Sequence, residues 1–477
     1  MTRVAVFYGH AASNWGDLAI NSGLVEMLQS LDVDVEQSFA VRLNPSDKYS
    51  EPSRESLQSM ALLDAPLDGA SKSASRELMQ LNDYVSALDG FIRDFKLRSL
   101  DFIIINSGEH FFESATQENF RDLLWRALPV MASNRARTPV VVMPSTMGPF
   151  RTPFGETLMN LLKRLPVGMA FRETTSPEIV GQEPSEDTPV LLDPGFFAKG
   201  LKRKEDDDGE RDVTHYGMVL RLEDYGLRAG SRRSAFVQTK NRNSNFRDSA
   251  AYQTYAEFGR RQLRAGHRVT IVVQTLADRE ISLALFEGLH EEFPDSGIRL
   301  EDPEDFSAFL ECMRAPGVLV TSRFHAAILA SAQGVPVVGI YSQTHGHKMP
   351  GLFDLLELGE CSVRLDDRAA AQVVTEMVDA CGVAVRQKAH TAARIDALKV
   401  RTLSWLEAAL RKGFERPIDT SKTQIQALAT INRVLAETMS KEHEGSIKAS
   451  IKGIEKSLDE LIDRQAASQE ETVEDDD

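Results

Sequence analysis

Short apolar runs alternate with longer amphipathic stretches along most of the chain, the pattern of strand–helix units built on a parallel sheet. Val4 to Tyr8 predicts a first strand and Gly9 to Gly16 a loop. Asp17 to Leu31 predicts a helix, with Leu18, Ile20, Leu24, Val25 and Leu28 on one face and Asp17 as its N-cap. Residues 44–75 are rich in Ser, Pro and Asp and read as a surface loop or insertion. The alternation then resumes. Helices are expected at Arg76 to Phe95, around Gln117 to Ala132, and at Arg151 to Leu165. Strands are expected at Asp101 to Asn106, Pro139 to Met143, Gly168 to Phe171 and Val190 to Asp193.

The composition changes at Lys202 to Asp212, which is almost wholly charged and reads as a solvated linker. The second half repeats the grammar of the first. Strands are predicted at Tyr216 to Leu220, His267 to Gln274, Ile298 to Leu300, Val318 to Thr321 and Val335 to Ile340. Helices are predicted at Ser249 to Ala265 (closed by Gly266), Arg279 to Glu291, Pro303 to Met313 and Phe324 to Ala332. The expected fold class is α/β: two doubly wound, Rossmann-like domains facing a cleft, followed by a helical C-terminal tail. The boundaries are 1–200 and 213–367 for the α/β domains and 201–212 for the linker. A helical extension at 368–416 is expected to pack back on the second domain, and 417–477 forms a tail with an acidic end. In that tail Ile447, Ile451, Ile454, Leu458 and Leu461 follow the 4-3-4-3 spacing of a coiled-coil seam. An amphipathic helix packed on its own domain fits the same stripe.

The net charge of -16 argues against broad nucleic-acid binding, which needs a basic face. The three cysteines, Cys312, Cys361 and Cys381, form no CxxC pair, so neither a zinc knuckle nor a disulfide framework is expected. No window approaches the ~18 apolar residues of a membrane helix, and the N-terminal apolar run is too short for a signal peptide. A cytoplasmic protein is expected, without a membrane span but with peripheral membrane contact left open.

Several segments can carry chemistry. Gly9 to Asp17 joins a strand to a helix N-terminus, where unpaired N–H groups suit an anion or a sugar, and Asn14 and Asp17 can bond hydroxyls. Met143 to Phe150 puts Ser145 and Thr146 at a sheet's carboxyl edge, and Arg172-Glu173 follows a strand into the same region. Arg221 ends the first strand of the second half. The loop after it gathers Arg228, Arg232, Arg233, Lys240, Arg242 and Arg247, which as easily make a solvated surface. Thr321 to Ala327 joins a strand to an apolar helix. Ser322 can cap that helix, Arg323 can hold an anion, and His325 titrates where proton transfer near neutrality needs it. Lys348 follows the next strand into the same cleft. His345 and His347, two apart and without a carboxylate, are weak as a metal pair.

The ordered set resembles the polysaccharide pyruvyl transferase family. The residues that carry the likeness in the first half are Asn14-Trp15-Gly16-Asp17, Ser145 to Pro149, Arg172 to Ser176 and Asp193-Pro194. In the second half they are Val219-Leu220-Arg221, Ser322 to Ala326 and Lys348 to Leu352. Asn106-Ser107-Gly108-Glu109 stands where the family usually has a run of glycines. The resemblance implies a GT-B-like fold. It implies phosphoenolpyruvate as co-substrate, no metal or organic cofactor, and a glycan or lipid-linked sugar acceptor that leaves as a pyruvate ketal. Carried over residue by residue, it makes His325 and Asp17 catalytic. Arg221, Arg323 and Lys348 then hold the donor on the second domain, and Asn14 faces the acceptor on the first, with Ser145, Thr146 and Arg172 lining the site. Two other readings stay open: a nucleotide-sugar-dependent glycosyltransferase on the same architecture, and a non-catalytic glycan-assembly protein. The C-terminal helices are the candidate surface for self-association or for a partner.

Overall fold

The structure is a computed structural model. It describes residues 4–7, 14–33, 37–38, 88–93, 95–112, 123, 127–150, 153–164, 166–202, 213–221, 246–342, 347–366, 368–415, 429 and 433. The expected loop at 44–75, most of the charged linker, most of the basic loop after Arg221, His345 and the coiled-coil stripe lie outside the described residues.

The first sheet contains β1 (Val4–Phe7), β2 (Gln37–Ser38), β3 (Phe102–Ile105), β4 (Val140–Ser145) and β5 (Gly168–Phe171), all parallel, in the order β2-β1-β3-β4-β5. Both faces of this sheet are covered, so its strands are continuously apolar rather than alternating. Ala5, Phe7, Ile103, Ile105, Val140 and Val142 point to one core with Phe91, Phe95 and Leu128. Val4, Val6, Phe102, Ile104, Val141 and Met143 point to the other. Helices α1 (Trp15–Ser30), α2 (Leu128–Ala136), α3 (Pro153–Leu162) and the short α4 (Thr175–Ile179) complete this half. The predicted strand at Val190 to Asp193 is reduced to one bridge, Val190 with Phe171, and the chain turns at Pro194–Phe197.

The second sheet has six parallel strands in the order β11-β10-β9-β6-β7-β8. They are β6 (His215–Val219), β7 (Arg268–Val272), β8 (Ile298–Glu301), β9 (Val318–Thr321), β10 (Val337–Tyr341) and β11 (Ser362–Arg364). Helices α5 (Ala250–Arg264), α6 (Arg279–Glu292), α7 (Phe306–Arg314), α8 (Phe324–Ala332) and α9 (Lys348–Leu355) connect them. Ser249 caps α5 by accepting from the Tyr252 N–H, and Asp305 caps α7 in the same way from Ala308. Gly266 follows α5 at φ +79°, a conformation that closes a helix and favours glycine. The arrangement is the two-domain, GT-B-like fold.

In each sheet the strand order reverses between two neighbouring strands, β1 and β3 in the first and β6 and β9 in the second. Loops leaving the carboxyl ends of such a pair diverge and leave a crevice where ligands bind. Among the described residues, Asn106 to Phe112 leave the carboxyl end of β3, and Leu220, Arg221 and Ser322 leave those of β6 and β9.

The C-terminal extension departs from expectation. Helix α10 (Ala370–Arg386) packs on the second domain, but α11 (Lys388–Glu415) crosses back to the first. Leu406, Ala409 and Leu410 of α11 share one buried core with Val4, Val6, Phe102 and Val141. A β-carbon at Gly413 would meet the Phe102 ring at 2.3 Å, and one at Gly168 would meet Ala409 Cβ at 2.7 Å. This helix therefore completes the outer face of the first sheet from the far end of the chain.

Candidate active site

The predicted loop from Gly9 to Gly16 ends two residues earlier than its pattern suggests. Helix α1 begins at Trp15, and its cap is Asn14, whose Oδ1 accepts from the Gly16 N–H at 3.0 Å. Asp17, expected as the cap, sits in the first turn, where a carboxylate suits the positive end of the helix. Asn14 also ties the domains together. Gln274 Nε2 donates to Asn14 Oδ1 (3.1 Å), and Asn14 bridges Thr275 in an antiparallel pair. Trp15 stacks on Phe309 of α7, their ring centroids 6.3 Å apart.

The loops after β3 and β4 are zipped to each other. The Thr146 N–H donates to the Gly108 carbonyl and the Gly148 N–H to that of Phe111. Within this frame Ser145 Oγ donates to the Met143 carbonyl (2.8 Å), while Thr146 Oγ1 accepts from Arg172 Nε (2.8 Å). Both hydroxyls are buried and engaged by the protein. Glu173 caps α4, accepting from the Thr175 and Ser176 N–H groups. Arg172, at the end of β5, instead runs inward. Its Nη1 donates to Asp193 Oδ2 at 2.8 Å, and its guanidinium lies 4.7 Å from the centroid of the Phe324 ring.

Asp193 is fully buried, and its other oxygen accepts from the Gly195 N–H at 2.7 Å. Ser107 Oγ stands 2.9 Å from Asp193 Oδ2. Burial would raise this carboxyl's pKa, but the His325 ring and the Arg172 guanidinium beside it outweigh burial and hold it well below the usual carboxylate range. His325, in the first turn of α8, brings its Nε2 to 3.9 Å from Asp193 Oδ2, within reach of an ion pair but too far for a hydrogen bond. That Nε2 is buried and has no hydrogen-bond partner. Burial lowers the His325 pKa below 6.5 against the opposing pull of Asp193, so the resting ring is neutral near pH 7.

Ser322 does not cap α8. Its Oγ accepts from the Arg221 N–H (3.0 Å), joining the carboxyl ends of β6 and β9. Arg323 takes the cap position, and its side chain turns to Asp278. Its Nε donates to Oδ2 at 2.6 Å and its Nη2 to Oδ1, with a further bond from Nη2 to Thr275 Oγ1. Lys348, the first residue of α9, reaches across the cleft to Glu109 Oε2 at 2.5 Å and lies 5.8 Å from the centroid of the same Phe324 ring. Burial and the neighbouring Arg221 and Arg172 lower the Lys348 pKa, with Glu109 opposing. Glu109 itself is held at about 2: burial acts upward, but the charge and hydrogen bond of Lys348 prevail. His347 is held nearby, its carbonyl accepting from Thr175 Oγ1 at 2.7 Å. Among the described residues no group of three or more His, Cys, Asp or Glu side chains is placed to hold a metal.

The two domains thus bring His325, Arg172 and Lys348 together around Phe324, with Arg221 close enough to act on the charge of Lys348 and Asp17 on that of His325. Arg323 is turned away, toward Asp278 and the Asn14 strap. A family model described as polysaccharide pyruvyl transferase matches residues 14–344, more than half of the chain, from the α1 cap to the loop before Lys348. The chain belongs to the polysaccharide pyruvyl transferase family.

No curated protein matches this family member at the sequence level. Solved structures match it along most of its length at low identity. Trehalose-6-phosphate synthase OtsA is 12% identical over 86% of this chain and 99% of its own, with a TM-score of 0.47. The UDP-GlcNAc 2-epimerase from Neisseria meningitidis is 10% identical over 85% and 100%, with a TM-score of 0.46. An O-GlcNAc transferase mutant from Thermobaculum terrenum is 14% identical over 90% and 69%, with a TM-score of 0.43.

Four partners of the site were not assigned from the sequence. Asp193 appears there only as part of a motif, Ser107 and Glu109 only as part of a departure from one, and Asp278 carries no signal of its own. Each acts through a contact with a residue more than 20 positions away. No helix among the described residues is long and apolar enough to cross a membrane.

Proposed function

We propose that this protein transfers pyruvate from phosphoenolpyruvate to two hydroxyls of a glycan or a lipid-linked sugar, forming a ketal and releasing phosphate. The observation that supports it best is that Arg172 and Lys348 both lie over the ring of Phe324, next in the chain to the largely enclosed His325, with Arg221 near Lys348. Phosphoenolpyruvate carries a carboxylate and a phosphate, and a cleft with several cations and one proton carrier answers both needs.

The atoms balance as follows. A sugar hydroxyl adds to C2 of the donor as its proton passes to His325, and His325 delivers a proton to the methylene carbon, which becomes a methyl group. The second hydroxyl closes the ketal as the C2–O bond to phosphate breaks, and its proton leaves with the phosphate. His325 takes up and delivers the first proton. Arg172, Arg221 and Lys348 hold the donor anions, with Arg172 aimed by Thr146. Asn14 and Asp17, at the mouth of α1, face the acceptor. Arg323 contributes by fixing Asp278 and the Thr275 strap that borders the acceptor side.

The test is calorimetry with phosphoenolpyruvate in EDTA, followed by phosphate release on a panel of glycans. Binding without added metal and glycan-dependent release are expected. No heat at millimolar donor, or stabilisation by a nucleotide sugar in its place, overturns the reading.

A further inference from the structure

The two edges of the His325 ring meet different surroundings. Nε2 is buried, lacks a hydrogen-bond partner and faces Asp193 Oδ2 at 3.9 Å. Asp193 cannot swing away, because Arg172 Nη1 (2.8 Å) and the Gly195 N–H (2.7 Å) each hold one of its oxygens. A fixed negative charge beside Nε2 favours the neutral tautomer that carries its hydrogen there.

The other edge lies against α1. A β-carbon at Gly16 would stand 2.6 Å from both Cβ and Nδ1 of His325 and 2.7 Å from Cγ. Gly16 is the second residue of a helix and has no positive φ, so its backbone alone does not require glycine. What the position requires is room for the imidazole. Because Cβ of His325 is among the atoms met, turning the ring would not relieve the clash. The His325 side chain retains 11% of its exposure although Nε2 has none, so its exposed atoms are others of the side chain. The charged groups that act on the ring are Asp193, Arg172 and Asp17.

We infer that Gly16 and Asp193 are positioning residues that fix His325 with Nε2–H turned into the protein and the Nδ1 lone pair open to the cleft, so that the transferred proton passes through Nδ1. The origin and destination of that proton rest on the pyruvyl-transfer reading; the orientation of the ring does not. Nδ1 takes the proton of the attacking hydroxyl as the new C–O bond forms and gives one to the donor's methylene carbon, returning to its neutral state.

Nitrogen NMR of the full chain with 15N-labelled histidine reads the tautomer directly, with His325→Gln assigning the signal. Above the ring's titration the wild type should show a protonated Nε2 and an unprotonated Nδ1. The opposite tautomer, or an even mixture, overturns the inference, and neither result requires donor or turnover. Gly16→Ala should lower kcat by roughly 10–100-fold with the donor KM little changed, and should shift or broaden the His325 signal. Wild-type kcat in that variant overturns the role of Gly16. In Asp193→Asn the tautomer preference should weaken; if that variant does not fold, the wild-type spectrum still decides. An expected tautomer together with full turnover by His325→Gln would leave the ring's orientation standing and refute the functional reading instead.

Discussion

Replacing Glu109 by Gln should tighten the binding of phosphoenolpyruvate. Lys348 Nζ lies 2.5 Å from Glu109 Oε2, and the two side chains keep 14% and 31% of their exposure. At that separation two unit charges attract by roughly 7 kcal/mol for an effective dielectric constant of about 20, a gross figure that the desolvation of both groups largely offsets. The net worth of a charged hydrogen bond is about 1.5–3 kcal/mol. A donor anion that takes Lys348 must first displace Glu109 and give up that interaction. Glutamine keeps the length and an oxygen acceptor but not the charge, so the loop stays in place while the competition weakens. Donor affinity should then rise by roughly tenfold or more, since each 1.4 kcal/mol is a factor of ten. Calorimetry at pH 7 and low salt measures it, with Lys348→Met as the companion that should lose affinity whether or not Glu109 is present. Unchanged or weaker binding in Glu109→Gln would mean that the carboxylate aims Lys348 at the donor, and the reasoning fails.

His325→Gln should cost roughly 10²–10⁴ in kcat with donor affinity kept, as expected for loss of a general acid–base; wild-type phosphate release would refute the assignment. Arg323→Ala leaves the buried Asp278 without its guanidinium, and breaking such a pair costs about 3–5 kcal/mol, read as a lower urea midpoint. An unchanged midpoint would leave Arg323 free to serve a ligand. Leu406→Ala, late in the chain, should destabilise the first domain by about 2–5 kcal/mol, because its side chain is fully buried in the core that α11 shares with the first sheet. Glu109 has a pKa of about 2 in the folded protein against an ordinary value near 4.3. Its contribution to stability is therefore complete above about pH 4.5 and is lost as pH falls toward 2, and Glu109→Gln should flatten that part of an acid-unfolding curve.

Most of the strands were legible because parallel strands buried on both faces leave long apolar runs, and the loops between them carry Gly, Pro and Asn. β2 and β11 were not legible: two- and three-residue edge strands such as Gln37–Ser38 and Ser362–Arg364 have no periodicity to read. The caps at Asn14 and Arg323 were each misplaced by one to three residues, since Asp17 and Ser322 have equally good capping chemistry and only the backbone course decides. Helix α11 was recognised as a helix but given one partner where it has two: Ile395 and Leu398 pack in the second-domain core, Leu406 and Leu410 in the first. Its amphipathic face says that it packs, and nothing local says that the sheet awaiting it was formed some 260 residues earlier. In the site the sequence identified the cations, which end strands or begin helices. It missed the use of Asp193, Asp278 and Glu109, because an acidic residue in a loop usually faces water.

Those three carboxylates explain how an acidic chain keeps cations buried between two domains without a ligand. Arg172 is held by Asp193, Arg323 by Asp278 and Lys348 by Glu109. The pairs differ in how readily they can exchange. Asp193 is sealed and also held by the Gly195 N–H, so Arg172 can offer a ligand only the donors not already committed. Asp278 grips Arg323 through two nitrogens and accepts from Thr275 besides, which ties that arginine to the frame. Glu109 makes a single contact to Lys348 and is the most exposed of the three. An incoming carboxylate or phosphate therefore meets least resistance at Lys348, where it replaces one anion by another and leaves the buried charge balanced. Because Glu109 and Lys348 sit on opposite domains, the same exchange removes a contact that holds the cleft shut. On the proposed function, donor entry would thus release one of the contacts that join the domains and leave those of Asn14 with Gln274 and Thr275 in place.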